Sequence, residues 1–518
     1  MARSNIQKKI KHVVVLMLEN RSFDNLAGWL YGGTLQPRTF RPDGTPERYN
    51  GLAGADYSNP IDFSPGAKIH PAVRGVAGDF RIPTPDPNEA FKHMNVQLFG
   101  SAVKKAKGDD QSWLPPEGQV PSMQGFLADY VTAKCSTRKI APQIMRTFSP
   151  DELTAMSNVA WEYAISDNYH ASCPTQTWPN RAFMHAGTSE GRVNNFPYLP
   201  YGAKTIFNVF EEEKVSWRVY KSSEILPSLT RIQMTELWDP LLDDHFHHVL
   251  RFIEDCRCGD LPDYSFVEPS FVVEAGTRAT SEHPPSDVCA GDHFLTDVCN
   301  AVVQSPDFAE TLLIINFDEH GGCPDHVPPT WTAVSPDKHS DPGHCGFRFN
   351  RYGVRVPVIF VSPHIEKGTL IRAGKDPWSD NAVPFDHTSI LAMLLDWKGI
   401  ARDKLPSKRV QAQPQAPFDE LLTGDLRTDR PRFVASCAVT PPQGCLKAAA
   451  GAVRKLFGGC PDGGLTALQE SIVVAHAHYR AARERGDDRL LDQAKGLEVL
   501  KKVRTEALMV RHFESIQG

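Results

Sequence analysis

Residues 13–24 read VVVLMLENRSFD, and residues 312–322 read LLIINFDEHGG. Each begins with a run dominated by apolar and β-branched side chains and lacking polar alternation, the pattern of a strand covered on both faces of a parallel sheet. A third run, VPVIFV at 356–361, has the same character. Helical patterns lie between them at 149–166 and 291–305. Ser149, Pro150, Asp151 and Glu152 read as a cap, a first-turn proline and an acidic first turn. The expectation is an α/β fold, a mostly parallel sheet flanked by helices.

Polar residues follow both runs. Glu19, Asn20 and Asp24 come after the first; Asp318, Glu319, His320, Gly321 and Gly322 come after the second. In open parallel sheets, ligands bind beyond the carboxyl ends of the strands. Two strands ending in carboxylates and an amide oxygen can aim them at one point, which suits a hard or borderline divalent cation. The two glycines permit a tight loop there. The plain alternative is that these are ordinary solvated strand ends.

A second segment, PTQTWPNR at 174–181, places Pro179 where a first helical turn tolerates it. Thr177 then stands at a helix amino terminus, whose free amide donors favour a phosphate or a developing negative charge. Arg181 can fork onto phosphate oxygens. Simple capping is the commoner role of such a threonine. Histidines supply the remaining chemistry: His93, His283 in HPPSD, His326 in DHVPP, and His387 after Asp386. Phosphate ester cleavage needs donors or a cation on the phosphoryl oxygens and an acid for the leaving group.

Composition narrows the class. The chain has 518 residues, 41% hydrophobic and 23% charged, with a formal net charge of −6. That is globular composition with no broad basic field, which argues against nucleic acid as a partner. The 41 prolines and 37 glycines concentrate at 32–90, 107–122 and 323–347, read as long functional loops. The opening MARSNIQKKIKHVVVLML lacks a cleavage site after its short apolar run, so a secretory signal is not supported and a cytoplasmic location is expected. The 11 scattered cysteines read mostly as free thiols. Residues 1–430 read as the main domain and 431–518 as an accessory helical appendage, broken near Gly486.

Taken together, VVVLMLENRSFDNLAGWL, PTQTWPNR, INFDEHGG followed by DHVPP, and YGVRVPVIFVSP resemble the phosphoesterase family of bacterial and plant non-specific phospholipases C and acid phosphatases. The resemblance covers about residues 11–397. It implies an alkaline-phosphatase-like core, and a divalent metal ion held by Glu19, Asn20, Asp318, Glu319 and Thr177. Thr177 matches the nucleophile, acting through a phosphothreonine, and His93, His283, His326 and Asp287 match site positions. The chain departs from the family pattern at Cys323-Pro324, where an aromatic pair is usual. A CxPxR motif of the sulfatase kind is absent.

What the resemblance implies is hydrolysis of phospholipid headgroups in phospholipase C fashion. A phosphomonoesterase acting on small soluble esters is the alternative, and a catalytically silent binding protein a weaker one. A lipid substrate entails transient contact with a membrane surface and an exposed apolar rim, for which Leu26, Trp29, Leu30 and Tyr31 are candidates; a core helix explains them equally.

Overall fold

The computed structural model describes residues 3–439 apart from 106–112, 197–198, 224–225 and 274–277. Nine strands form one sheet: β1 (His12–Leu18), β2 (Thr39–Arg41), β3 (Ala164–Ser166), β4 (Trp217–Lys221), β5 (Phe246–His248), β6 (Tyr264–Glu268), β7 (Thr311–Phe317), β8 (Val358–Val361) and β9 (Thr369–Ile371). Their spatial order is β5-β4-β6-β1-β7-β8-β3-β9-β2. Every pairing is parallel except the two made by β8. The expected mostly parallel α/β sheet is therefore present. The run at 356–361, however, supplies the sheet's antiparallel strand. Its apolar character reflects burial on both faces, which does not encode direction.

The helices that matter for the site are α1 (Phe23–Ala27), α2 (Phe91–Phe99), α3 (Thr154–Glu162), α4 (Thr177–Ala186), α5 (Val288–Gln304) and α6 (His387–Lys398). The pattern at 149–166 resolves into α3 and then β3. Ser149 does not cap the helix, because its N–H and hydroxyl both donate to Glu152. The cap comes instead from Asp292 on α5, whose carboxylate accepts from the N–H groups of Ala155 and Met156 at 3.1 and 2.8 Å.

Strand β1 is central, with β6 and β7 on either side, and Val13 to Leu18 and Leu312 to Phe317 are buried. Leu18 pairs in register with Phe317, so Glu19 and Asp318 emerge side by side. Leu26, Leu30 and Tyr31 are each 3% exposed and belong to the core, so they form no apolar rim.

Past residue 430 the chain lies against α5. Phe433 is buried and exchanges hydrogen bonds with Asn300, and a disulfide joins Cys437 to Cys289. The remainder of the expected helical appendage lies outside the described residues. Among the described cysteines, Cys173, Cys256, Cys258, Cys299 and Cys323 are free. No helix among the described residues is long and apolar enough to cross a membrane.

Candidate active site

The two strand ends meet in a fully buried polar cluster. Glu19, Asn20, Thr177, Arg181, Asp318 and Glu319 all have no measurable exposure, so the solvated-strand-end reading fails for the residues that follow β1 and β7. Asn20 adopts φ of 49°, and its N–H donates to Asp318 Oδ1 at 3.0 Å. That left-handed turn points its amide group inward, where Nδ2 donates at 2.7 Å to both Glu319 and Glu89. Gly321 and Gly322 have φ of 59° and 68°, and a Cβ on Gly321 would lie 2.1 Å from Asn20 O. The glycines are thus required by a close backbone approach. Behind the cluster, His387 Nε2 donates to Phe317 O at 3.0 Å, fixing the end of β7.

Thr177 is the first residue of α4, and its hydroxyl donates to Asn20 Oδ1 at 3.2 Å. Pro179 sits within that first turn, as expected from its sequence. One turn later on the same helix face, Arg181 donates through Nε to Glu19 Oε1 at 3.0 Å and stands 3.7 Å from Asp318 Oδ2. Its Nη1 has no hydrogen-bond partner, and neither do Glu19 Oε2 or Asp318 Oδ2.

Charge in this cluster is out of balance. Burial pushes the Glu19 carboxyl up to about 8 even though Arg181 opposes it. Burial raises Asp318, and burial with Glu89 and Asp318 beside it holds Glu319 well above the ordinary glutamate value. A single arginine does not neutralise these acids. Carboxylate oxygens buried without partners are costly, and a divalent cation is what this donor set of carboxylates, amide and hydroxyl oxygens would accept.

The other expected residues divide. His283 borders the cluster, with Nε2 3.3 Å from Glu89 Oε1 and Nδ1 donating to Pro284 O at 2.6 Å. Burial alone would lower its pKa, but Glu89 and Asp86 outweigh that and lift it to about 10. His93, on α2, is partly buried, 25% exposed at the side chain, and donates from Nδ1 to Asp129 at 2.7 Å. Asp129 also accepts from Gln97, and Gln97 accepts from His320, so His93 connects to the DEHGG loop only through intermediaries. His326 is held by Asp24 and Asn50. Its Nδ1 donates to Asp24 Oδ2 at 2.6 Å, and its Nε2 meets Asn50 Oδ1 at 3.0 Å beside a cleft of about 490 Å³. Asp287 caps α5 through Cys289 N and lies 3.5 Å from Arg278, which gives it a local role.

Glu89 and Asp86 were not singled out from the sequence. The available signal was two acids a few residues before His93, inside a proline-bounded loop.

Residues 10–400 match the model of the phosphoesterase family. Non-specific phospholipase C6 of Arabidopsis thaliana is 30% identical over 441 residues, spanning 84% of this chain and 76% of that protein. Phospholipase C B of Mycobacterium tuberculosis is 27% identical over 428 residues, spanning 74% and 72%. Among solved structures, a protein in the alkaline phosphatase superfamily from Vibrio parahaemolyticus overlays with a TM-score of 0.30 at 13% identity, covering 52% of this chain and 66% of that one.

Proposed function

The chain belongs to the phosphoesterase family and is a phosphoric ester hydrolase, and on that premise we propose that it cleaves phospholipids in the phospholipase C manner, releasing diacylglycerol and a phosphorylated alcohol. The substrate class is supported by relatives named as phospholipases C from a plant and a bacterium. The mechanism is supported chiefly by one observation: the Thr177 hydroxyl lies on Asn20 Oδ1, at a helix amino terminus, among buried carboxylates with unpaired oxygens.

In this reading Glu19, Asn20, Thr177, Asp318 and Glu319 would hold a divalent cation, which when bound would supply acidification of the Thr177 hydroxyl and charge stabilisation at the phosphoryl oxygens. Thr177 Oγ, its proton lost to solvent, attacks phosphorus as the bond to the diacylglycerol oxygen breaks and that oxygen departs with a proton, leaving the headgroup phosphate on Thr177; water then attacks phosphorus, the Thr–O–P bond breaks, the phosphorylated alcohol departs and the hydroxyl regains a proton. The unpartnered Nη1 of Arg181 receives an equatorial oxygen. His93, partly exposed and oriented by Asp129, supplies the leaving-group proton. A lipid substrate brings transient contact with a membrane surface.

The test compares phosphatidylcholine, para-nitrophenyl phosphate and para-nitrophenyl phosphorylcholine as substrates of wild type and Thr177→Ala. The expected result is phosphorylcholine release from lipid, reduced by roughly 10³-fold or more in the variant with the fold intact. Turnover of the monoester alone would replace the lipid reading with a phosphomonoesterase. Undiminished turnover in Thr177→Ala would remove the nucleophile assignment.

A further inference from the structure

We propose that Asp86, Glu89 and His283 hold a second divalent cation, beside the one read at Glu19, Asn20, Asp318 and Glu319. The three side chains each offer a ligand atom, and those atoms lie within 4.8 Å of one another. Glu89 and His283 are 2% and 5% exposed at the side chain. The Nδ1–H of His283 is committed to the carbonyl of Pro284, which leaves Nε2 as the lone-pair nitrogen of the neutral ring. That lone pair faces Glu89 Oε1 at 3.3 Å without a hydrogen bond. Glu89 Oε2 and Asp86 Oδ1 are likewise without a hydrogen-bond partner; Asp86, 22% exposed at the side chain, stands 3.7 Å from His283 Nδ1. Buried acceptor atoms gathered this closely require something positive between them.

The cationic side chains nearby do not fill that place. Arg181 is engaged with Glu19, and Arg21 donates to the carbonyls of Glu282 and Ile82 and to Asn25. Glu89 also accepts from Asn20 Nδ2, so the two cation positions share one amide. One imidazole and two carboxylates suit Zn²⁺ or Mn²⁺, and three protein groups leave a coordination position open. The competing occupant is a proton on His283 alone.

Metal content separates the two. Metal-free full-length protein is reconstituted with Zn²⁺, freed of excess by gel filtration, and its bound metal per chain is measured, with circular dichroism confirming the fold. Wild type is expected to retain two ions. Asp86→Asn, a near-isosteric change, and His283→Ala are each expected to retain one, and Asp318→Asn to retain one. A single ion in wild type, kept in Asp86→Asn and His283→Ala but lost in Asp318→Asn, would overturn the second site while leaving the first. A single ion lost in His283→Ala and kept in Asp318→Asn would uphold the site described here and overturn the first. No retained zinc in wild type would overturn both.

Discussion

Two nests of buried acid lie near the carboxyl ends of β1 and β7, and they are finished differently. In one, Asp24 and Asp325 share the guanidinium of Arg355, with contacts of 3.0 to 3.2 Å, and Asp24 also receives His326. Both oxygens of Asp325 also accept a backbone N–H, from Asp24 and Val327. No carboxylate oxygen of this pair lacks a partner. Burial would raise Asp24, but His326 and Arg355 outweigh it and hold the group below the ordinary aspartate value; Asp325 rises only to about 6. In the other nest, Glu19 goes up to about 8 and Glu89, Asp318 and Glu19 keep unpaired oxygens. Buried ions persist when paired, so the first nest is complete as architecture and the second is completed by what binds there.

The contrast can be broken by experiment. Arg355→Met leaves Asp24 and Asp325 buried without their cation and is expected to destabilise the protein by about 3–5 kcal/mol, read as a lower urea midpoint. An unchanged midpoint would abolish the distinction between the nests. Saturating metal should act on the other nest: at one hundred times Kd, Zn²⁺ is expected to add about 2.7 kcal/mol to wild-type stability for each ion bound, seen as a rise in Tm that chelation reverses. A Tm indifferent to metal would leave the unpaired oxygens unexplained. The smallest effect carries the opposite sign to the first. In chelator, Asp318→Asn removes one of several crowded acids and is expected to stabilise the protein by on the order of 1 kcal/mol. Loss of stability there would mean that Arg181 already balances the cluster.

The sequence was most legible where backbone pattern and chemistry coincide. Glu19, Asn20, Asp318 and Glu319 directly follow two of the clearest strands, and Thr177 opens a helix marked by Pro179. What escaped reading depends on partners distant in the chain. The cap of α3 comes from Asp292, so Ser149 and Pro150 misplaced the helix start. His326 carries a recognisable motif, but Asp24 and Asn50 claim its ring, and neither contact is written near it. Leu26 and Leu30 are equally apolar in a rim or a core; only the packed sheet decides. Glu89 acquires its place because α2 and the loop before it fold back over Asn20.

The in-register pairing of Leu18 with Phe317 has a consequence for how this protein tolerates change. Because successive strand residues face opposite ways, a slip of one position between β1 and β7 would turn Glu19 or Asp318 away from its counterpart. The apolar residues that forbid the slip, Val14 and Leu16 against Leu313 and Ile315, therefore act as the jig in which the reactive groups are aligned. Conservative repacking of these aliphatic side chains, several residues from any reacting atom, would register first as lost turnover while the protein still looked well folded.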